Sequence, residues 1–133
     1  MDKVLIVVVD QKFLNILNEG LQKYIGQFEV VTASDGEAAL EVLKKNRISV
    51  LVTDLVIPGG DGLELLGHMR KSLLHVPCIV MTESECSEIN NEINRDGIFR
   101  FIEKPFDINE LAALIFEGLD RLDEGLFWRE YHK

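Results

Sequence analysis

Four side chains with useful chemistry stand where short apolar runs end. Asp10 follows "VLIVVV", Asp54 follows "VLVT", Thr82 closes "PCIVMT" and Lys104 follows "FRFIE". Two carboxylates held about 5 Å apart repel by roughly 3 kcal/mol at an effective dielectric of 20. A hard divalent cation such as magnesium removes that repulsion, takes oxygen ligands and keeps several waters. Lys104 adds a further positive charge, so the same spot can receive a dianionic phosphoryl group beside a carboxylate. An aspartate nucleophile there forms an acyl phosphate, and Thr82 can donate its hydroxyl to a phosphoryl oxygen. Any one of these residues alone reads as a turn or cap residue. The chemistry belongs to the set.

The elements that must position this set alternate along the chain. Residues 3–9, 28–33, 48–53, 77–81 and 98–102 are strand candidates. Three of them are nearly continuous apolar runs, as expected when both faces of a parallel sheet are covered. Between them lie helical patterns. Phe13, Leu14, Leu17 and Leu21 share one face of the first. "SDGE" (34–37) reads as a capping box that opens the second, ahead of Ala38, Ala39, Val42 and Leu43. Leu63, Leu66 and Met69 shape the third, and "SEINNEINR" (87–95) offers only Ile89 and Ile93 to a core. Its asparagines lower helix propensity, so this fourth helix is expected to be loosely held. The last opens with "DINE" (107–110), a second cap pair, followed by Leu111, Leu114, Ile115, Leu119 and Leu122. The alternation implies a doubly wound α/β domain, whose site lies in the loops at the carboxyl ends of the strands.

Composition narrows the classes. A chain of 133 residues that is 47% hydrophobic can build one core and one domain. Fourteen basic against 23 acidic residues leave a formal net charge of −9. That sign disfavours non-specific attraction to nucleic-acid phosphates and anionic lipid, and the longest basic cluster is only Lys44-Lys45 with Arg47 nearby. No apolar run approaches a membrane span, and "MDKVL" enters a strand at once, which favours the cytoplasm over secretion. Cys78 and Cys86 lack CxxC spacing and suit a reducing compartment. Cys78 reads as a small core residue, and Cys86 sits among acids that do not activate a thiol. His68, His75 and His132 show no metal-ligand spacing. Gly59-Gly60 lacks the Gly-Lys-Ser/Thr of a nucleotide-binding loop.

Over residues 3 to about 120 the chain resembles the receiver domain of two-component response regulators. "VLVTDLVIPGGDGLELL" (50–66), "VPCIVMT" (76–82) and "FIEKPFDINEL" (101–111) carry the likeness. The resemblance implies five parallel strands in order 2-1-3-4-5 with five helices, a flavodoxin-like architecture. It implies that Asp54 is the phosphoacceptor, that Asp10, Asp54 and the Val56 backbone carbonyl hold magnesium, and that Lys104 contacts the phosphoryl group. A cis Lys104–Pro105 bond is expected. Thr82 and Phe101 match the switch pair, the hydroxyl moving to the phosphoryl group and the ring following inward, and the face of helix four, strand five and helix five is implied to carry the output. The implied partners are a histidine kinase or phosphotransfer protein and a downstream output domain or protein. No direct nucleic-acid or membrane contact is implied, and the domain is a switch rather than a metabolic enzyme.

Two positions depart from the family pattern. Receivers usually end strand one with two adjacent acids; Asp10 aligns with the second, and Val9 stands at the first. One missing carboxylate is expected to weaken magnesium binding by about 1–3 kcal/mol, the range for a charged hydrogen bond. Glu83 stands after the switch threonine, where a small residue is usual. It reads either as a replacement for the acid lost at Val9, as an obstacle to phosphate, or as an outward surface acid. Phe101 in place of tyrosine loses only a hydroxyl.

The receiver is expected to span 1–120, with 121–133 a helical extension or linker. Ile108, Ala112, Ile115, Leu119, Leu122 and Leu126 form a heptad-like stripe, with Trp128 and Tyr131 beyond it. That stripe suits a homodimer contact or a lead into an output domain; a folded-back tail is the alternative, and Gly118 and Gly125 weaken a long coiled coil. The main rival to a working receiver is a degenerate one, a binding module that takes no phosphate. An aspartyl-phosphate hydrolase wants a second acid where Val56 stands, and an FMN carrier wants a hydroxyl- and glycine-rich loop where the chain has "DQKFL".

Overall fold

Val4 to Val8 are at most 1% exposed because they run through the middle of a sheet covered on both faces. The structure, a computed structural model, describes residues 1–54, 56–57, 60–61, 76–83 and 100–124, with the backbone alone described at 56–57, 60–61 and 121–124. In chain order it comprises β1 (Asp2–Val7), α1 (Gln11–Leu21), a 3-10 turn (Gln22–Tyr24), β2 (Phe28–Ala33), α2 (Gly36–Lys45) and β3 (Val50–Asp54). Then come β4 (Val56–Ile57), β5 (Gly60–Asp61), β6 (Cys78–Thr82), β7 (Arg100–Glu103) and a C-terminal helix (Ile108–Glu124).

Five strands form one parallel sheet in the order β2-β1-β3-β6-β7. Counted among themselves these strands give the expected 2-1-3-4-5. The side-chain period of two splits the core. Val4, Ile6 and Val8 face Leu14, Leu17 and Leu21 of α1 and Leu111 and Ile115 of the C-terminal helix. Leu5 and Val7 face Ala39 and Leu43 of α2. Gly20 lets α1 and the C-terminal helix close up: a Cβ there would lie 2.6 Å from Ile108 Cγ1. Tyr24, Phe28 and Phe116 pack ring against ring at the foot of the same pair, with centroids 5.3–6.1 Å apart.

Local chemistry sets the boundaries. β1 ends at Val7, two residues short of the expected end: Val8 makes one more bond, to the Ala33 carbonyl at 3.2 Å, and the chain then turns to cap α1. β3 and β6 run one residue further than expected and end on Asp54 and Thr82 themselves. At α2 the cap is Asp35 rather than Ser34. Its extended backbone lets Oδ1 accept the Ala38 N–H at 2.7 Å, which places Glu37 in the first turn against the positive end of the helix. Asp107 caps the C-terminal helix, Oδ1 accepting the Asn109 N–H at 2.7 Å. The β4–β5 hairpin lies outside the five expected strands. It pairs Val56 with Asp61 and Ile57 with Gly60.

Of the five expected helices, three lie among the described residues. The third and fourth helical patterns, with Leu63, Leu66, Met69, Ile89 and Ile93, lie outside them. So do Cys86, His68, His75, the side chain of Leu122, and residues 125–133 with Leu126, Trp128, Tyr131 and His132. No helix among the described residues is long and apolar enough to cross a membrane.

Candidate functional site

Strand register brings the carboxyl ends of the central strands to one rim. Val7 lies opposite Thr53, Asp54 opposite Met81, and Thr82 opposite Glu103. Asp54 is the last residue of β3 and only 9% exposed. Its backbone carbonyl accepts the buried Thr53 hydroxyl at 2.9 Å, so Thr53 is satisfied and leaves the Asp54 side chain to the site.

Lys104 comes to Asp54 from β7. Its backbone N–H donates to the Thr82 carbonyl at 2.7 Å, which carries the β6–β7 pairing one residue beyond the strand, and the Lys104–Pro105 bond is cis. The ammonium then donates to Asp54 Oδ1 at 2.6 Å, with the two side chains 25% and 12% exposed. A charge-assisted bond of this length, largely out of water, is among the strong kind.

Thr82 closes β6 and is 3% exposed. Its Oγ1 is buried and has no hydrogen-bond partner among the described residues. A buried polar group left so costs roughly 1–3 kcal/mol, and an acceptor brought to the rim removes that cost. Phe101, on β7 opposite Val80, is half-buried against the α2 side of the core.

Asp10 does a structural task as well. Its Oδ1 accepts the Lys12 N–H at 2.9 Å and the Phe13 N–H at 3.4 Å, capping α1. Its Oδ2 has no hydrogen bond among the described residues. Val9 beside it is 47% exposed, so the fully buried run of β1 stops before the acid position it fills. Glu83 is exposed and makes no hydrogen bond or ion pair among the described residues.

No cluster of three or more His, Cys, Asp or Glu side chains able to hold a metal exists among the described residues. The donors at hand are the Asp10 carboxylate, at the cap of α1 that follows β1, the Asp54 carboxylate at the end of the neighbouring strand β3, and the Val56 carbonyl in β4. All are hard oxygens, and one or two carboxylates with retained waters suit magnesium. The donor set therefore fits that ion, with one carboxylate fewer than a paired-acid site offers.

Two residues near the lysine escaped the reading of the sequence. The Lys104 ammonium lies 4.6 Å from the centroid of the Phe13 ring, and Phe106 meets that ring edge-on at 6.0 Å and 69°. Phe13 carried only the signal of an apolar residue on the core face of a helix. The contact arises because the segment after β7 folds back over the start of α1. Elsewhere, a cavity of about 560 Å³ lined by Met1, Leu21, Ile25 and Phe28 opens at the amino end of β2, the opposite end of the sheet from Asp54. Cys78 is a free, fully buried thiol whose pKa burial pushes far up, so it takes no part in nucleophilic chemistry.

The family model of the response regulator receiver domain matches residues 4–116. The response regulator protein FleR of Pseudomonas aeruginosa is 34% identical over 113 residues, which cover 85% of this chain and 24% of that protein. The heme response regulator HssR of Staphylococcus haemolyticus is 31% identical over 121 residues, 91% of this chain and 53% of that protein. The chain thus spans about a quarter to a half of the length of these curated relatives. Among solved structures, the receiver domain of the Francisella response regulator 1452 superposes with a TM-score of 0.84 at 27% identity, covering 92% of this chain and 99% of that one. Chemotaxis response regulator CheY4 of Vibrio cholerae gives 0.80 at 27% identity, covering 90% and 99%.

Proposed function

The chain belongs to the response regulator receiver domain family, and from that premise we propose that Asp54 accepts a phosphoryl group from a phosphohistidine of a kinase or phosphotransfer protein. The single observation that carries the reading is the Lys104–Asp54 pair at 2.6 Å, set beside a buried Thr82 hydroxyl that has no partner among the described residues. The nucleophile, the cation that meets the transferred charge and a donor without an acceptor share one rim.

An Asp54 carboxylate oxygen attacks phosphorus as the phosphorus–nitrogen bond breaks, and the electron pair leaves with the donor imidazole, which takes up a proton. The product is an acyl phosphate on Asp54. Lys104, already bonded to the carboxylate, turns its N–H groups to the phosphoryl oxygens, where fixed positive charge is most effective. Thr82 donates its hydroxyl to a phosphoryl oxygen and thereby gains the hydrogen bond it lacks. Asp10, Asp54 and the Val56 carbonyl would hold magnesium, which when bound supplies positive charge against the phosphoryl oxygens.

Movement of the Thr82 hydroxyl vacates room beside β7, and Phe101 follows inward. The face that includes β7 and the C-terminal helix then presents a different surface to an output domain or protein. Residues 1–120 are the receiver and 121–133 lead out of it. The net charge of −9 sets the domain against direct nucleic-acid binding, and the reaction belongs in the cytoplasm with its kinase.

A second reading, a receiver-like binding module that takes no phosphate, is favoured by Val9 at the first acid position. Incubation with a small-molecule phosphodonor, with and without magnesium, followed by intact mass, separates the two. The first reading expects a magnesium-dependent phosphoryl adduct that Asp54→Asn lacks; the second expects none with either protein.

A further inference from the structure

Lys104 is held from two sides, and only one of them is an acid. On one side stands Asp54 Oδ1 at 2.6 Å. On the other the ring of Phe13 faces the ammonium, its centroid 4.6 Å from Nζ. Phe13 is itself fixed at three points. Its backbone N–H is bonded to Asp10 Oδ1 at 3.4 Å, its side chain packs on the core cluster under α1, and Phe106 braces its ring edge-on at 69°.

A lysine ammonium is drawn to the face of an aromatic ring, more strongly where the pair is partly withdrawn from water. At 25% exposure the Lys104 side chain is in that regime. The lysine stem is flexible and its three donors rotate freely, so one carboxylate bond leaves the ammonium free to swing. A ring on the far side confines it without competing as a second anion. The N–H groups stay available to oxygens arriving at Asp54.

We propose that Phe13 is a positioning residue for Lys104: braced by Phe106, its ring holds the ammonium at the mouth of the site, against Asp54, ready for an incoming phosphoryl group. The effect on phosphoryl uptake rests on the phosphoacceptor reading of Asp54; the contact itself does not. Asp10 thereby acts on the lysine too, since the carboxylate that caps α1 also sets the backbone from which Phe13 projects.

The test uses the full chain with Phe13→Leu and Phe13→Tyr, both of which keep an apolar body under α1; thermal melts verify that each is folded. With carbon-13-labelled lysine and Lys104→Arg for assignment, the Lys104 ε-methylene signal is expected upfield in the wild type and in Phe13→Tyr. In Phe13→Leu it is expected at the ordinary lysine position, because the ring current is gone. The initial rate of uptake from a small phosphodonor at saturating magnesium is expected to fall about 2- to 30-fold in Phe13→Leu and to recover in Phe13→Tyr. An ε-methylene signal unchanged in Phe13→Leu overturns the proposal, as does an unchanged rate when the wild type takes up phosphate. A wild type that takes up none sinks the phosphoacceptor reading instead, and the methylene signal then decides the Phe13 contact alone.

Discussion

Lys104 and Asp54, 50 residues apart in the chain, form a 2.6 Å ion pair at the carboxyl rim of the sheet. Both side chains are mostly out of water, so removing either partner leaves a charge without its counterpart. Lys104→Met is expected to destabilise the fold by about 1–3 kcal/mol, the cost of stranding a charged group. It is expected to slow phosphoryl uptake by about 10²-fold, the scale of losing one preorganised donor. Denaturant melts and single-turnover kinetics measure the two effects separately. Asp54→Asn keeps an oxygen acceptor for Lys104 and is expected to lose uptake entirely while losing less stability than Lys104→Met.

The buried Thr82 hydroxyl predicts opposite effects on rest and action. Thr82→Val keeps the shape and removes the unsatisfied group. The unphosphorylated chain is therefore expected to gain about 1 kcal/mol of stability, seen as a higher denaturation midpoint with an unchanged slope. Uptake onto Asp54 is expected to persist in the variant, with phosphorylation no longer altering the environment of Phe101, as measured by the aromatic NMR signals of the two forms.

Val9 is 47% exposed, so replacing it with aspartate gives up little apolar burial. Val9→Asp supplies the second carboxylate of an acid pair. Magnesium affinity is expected to rise by about 1–3 kcal/mol, or roughly 5- to 150-fold, measured by isothermal titration. The same variant is expected to be less stable than the wild type without magnesium, because two neighbouring carboxylates then repel. An unchanged magnesium affinity in Val9→Asp would contradict a metal site at this rim.

Cys78 predicts a pH dependence. Burial holds its thiol neutral in the folded chain well above the ordinary range, whereas the unfolded chain ionises near pH 8.5. The folded state then binds more protons than the unfolded one at alkaline pH, so stability is full below that value and falls as pH rises through it. The slope contributed is at most about 1.4 kcal/mol per pH unit. In a Cys86→Ser background, Cys78→Ala is expected to flatten the alkaline limb of a stability–pH curve. Thiol reagents are expected to modify Cys78 only at the rate of unfolding.

Much of the fold was legible because it rests on repeated, local signals. The apolar runs of β1, β3 and β6 and the 3.6-residue stripes of α1, α2 and the C-terminal helix each persist over several residues and point the same way. The places of Asp54 and Thr82 at the ends of β3 and β6 followed from those runs, whereas Asp10 lies past the end of β1 as the cap of α1 and Lys104 lies one residue beyond β7. Single-residue geometry was less legible. Ser34 and Asp35 are both good caps, and only backbone torsions decide that Asp35 takes the role. The hairpin of β4 and β5 is two residues per strand, too short for any period to show. Phe13 gave no sign of its partner, because an ammonium over a ring is a contact between segments about 90 residues apart, and helix periodicity accounts for that phenylalanine without it.

The proposed phosphoryl acceptor can be identified directly. The wild-type chain is treated with a small phosphodonor and magnesium, reduced with borohydride to convert any acyl phosphate to the corresponding alcohol, digested and sequenced by mass spectrometry. Homoserine is expected at position 54 and at no other aspartate, with none formed when magnesium is chelated. Reduction at Asp10 or another acid, or no reduced residue at any magnesium concentration, would contradict Asp54 as the acceptor.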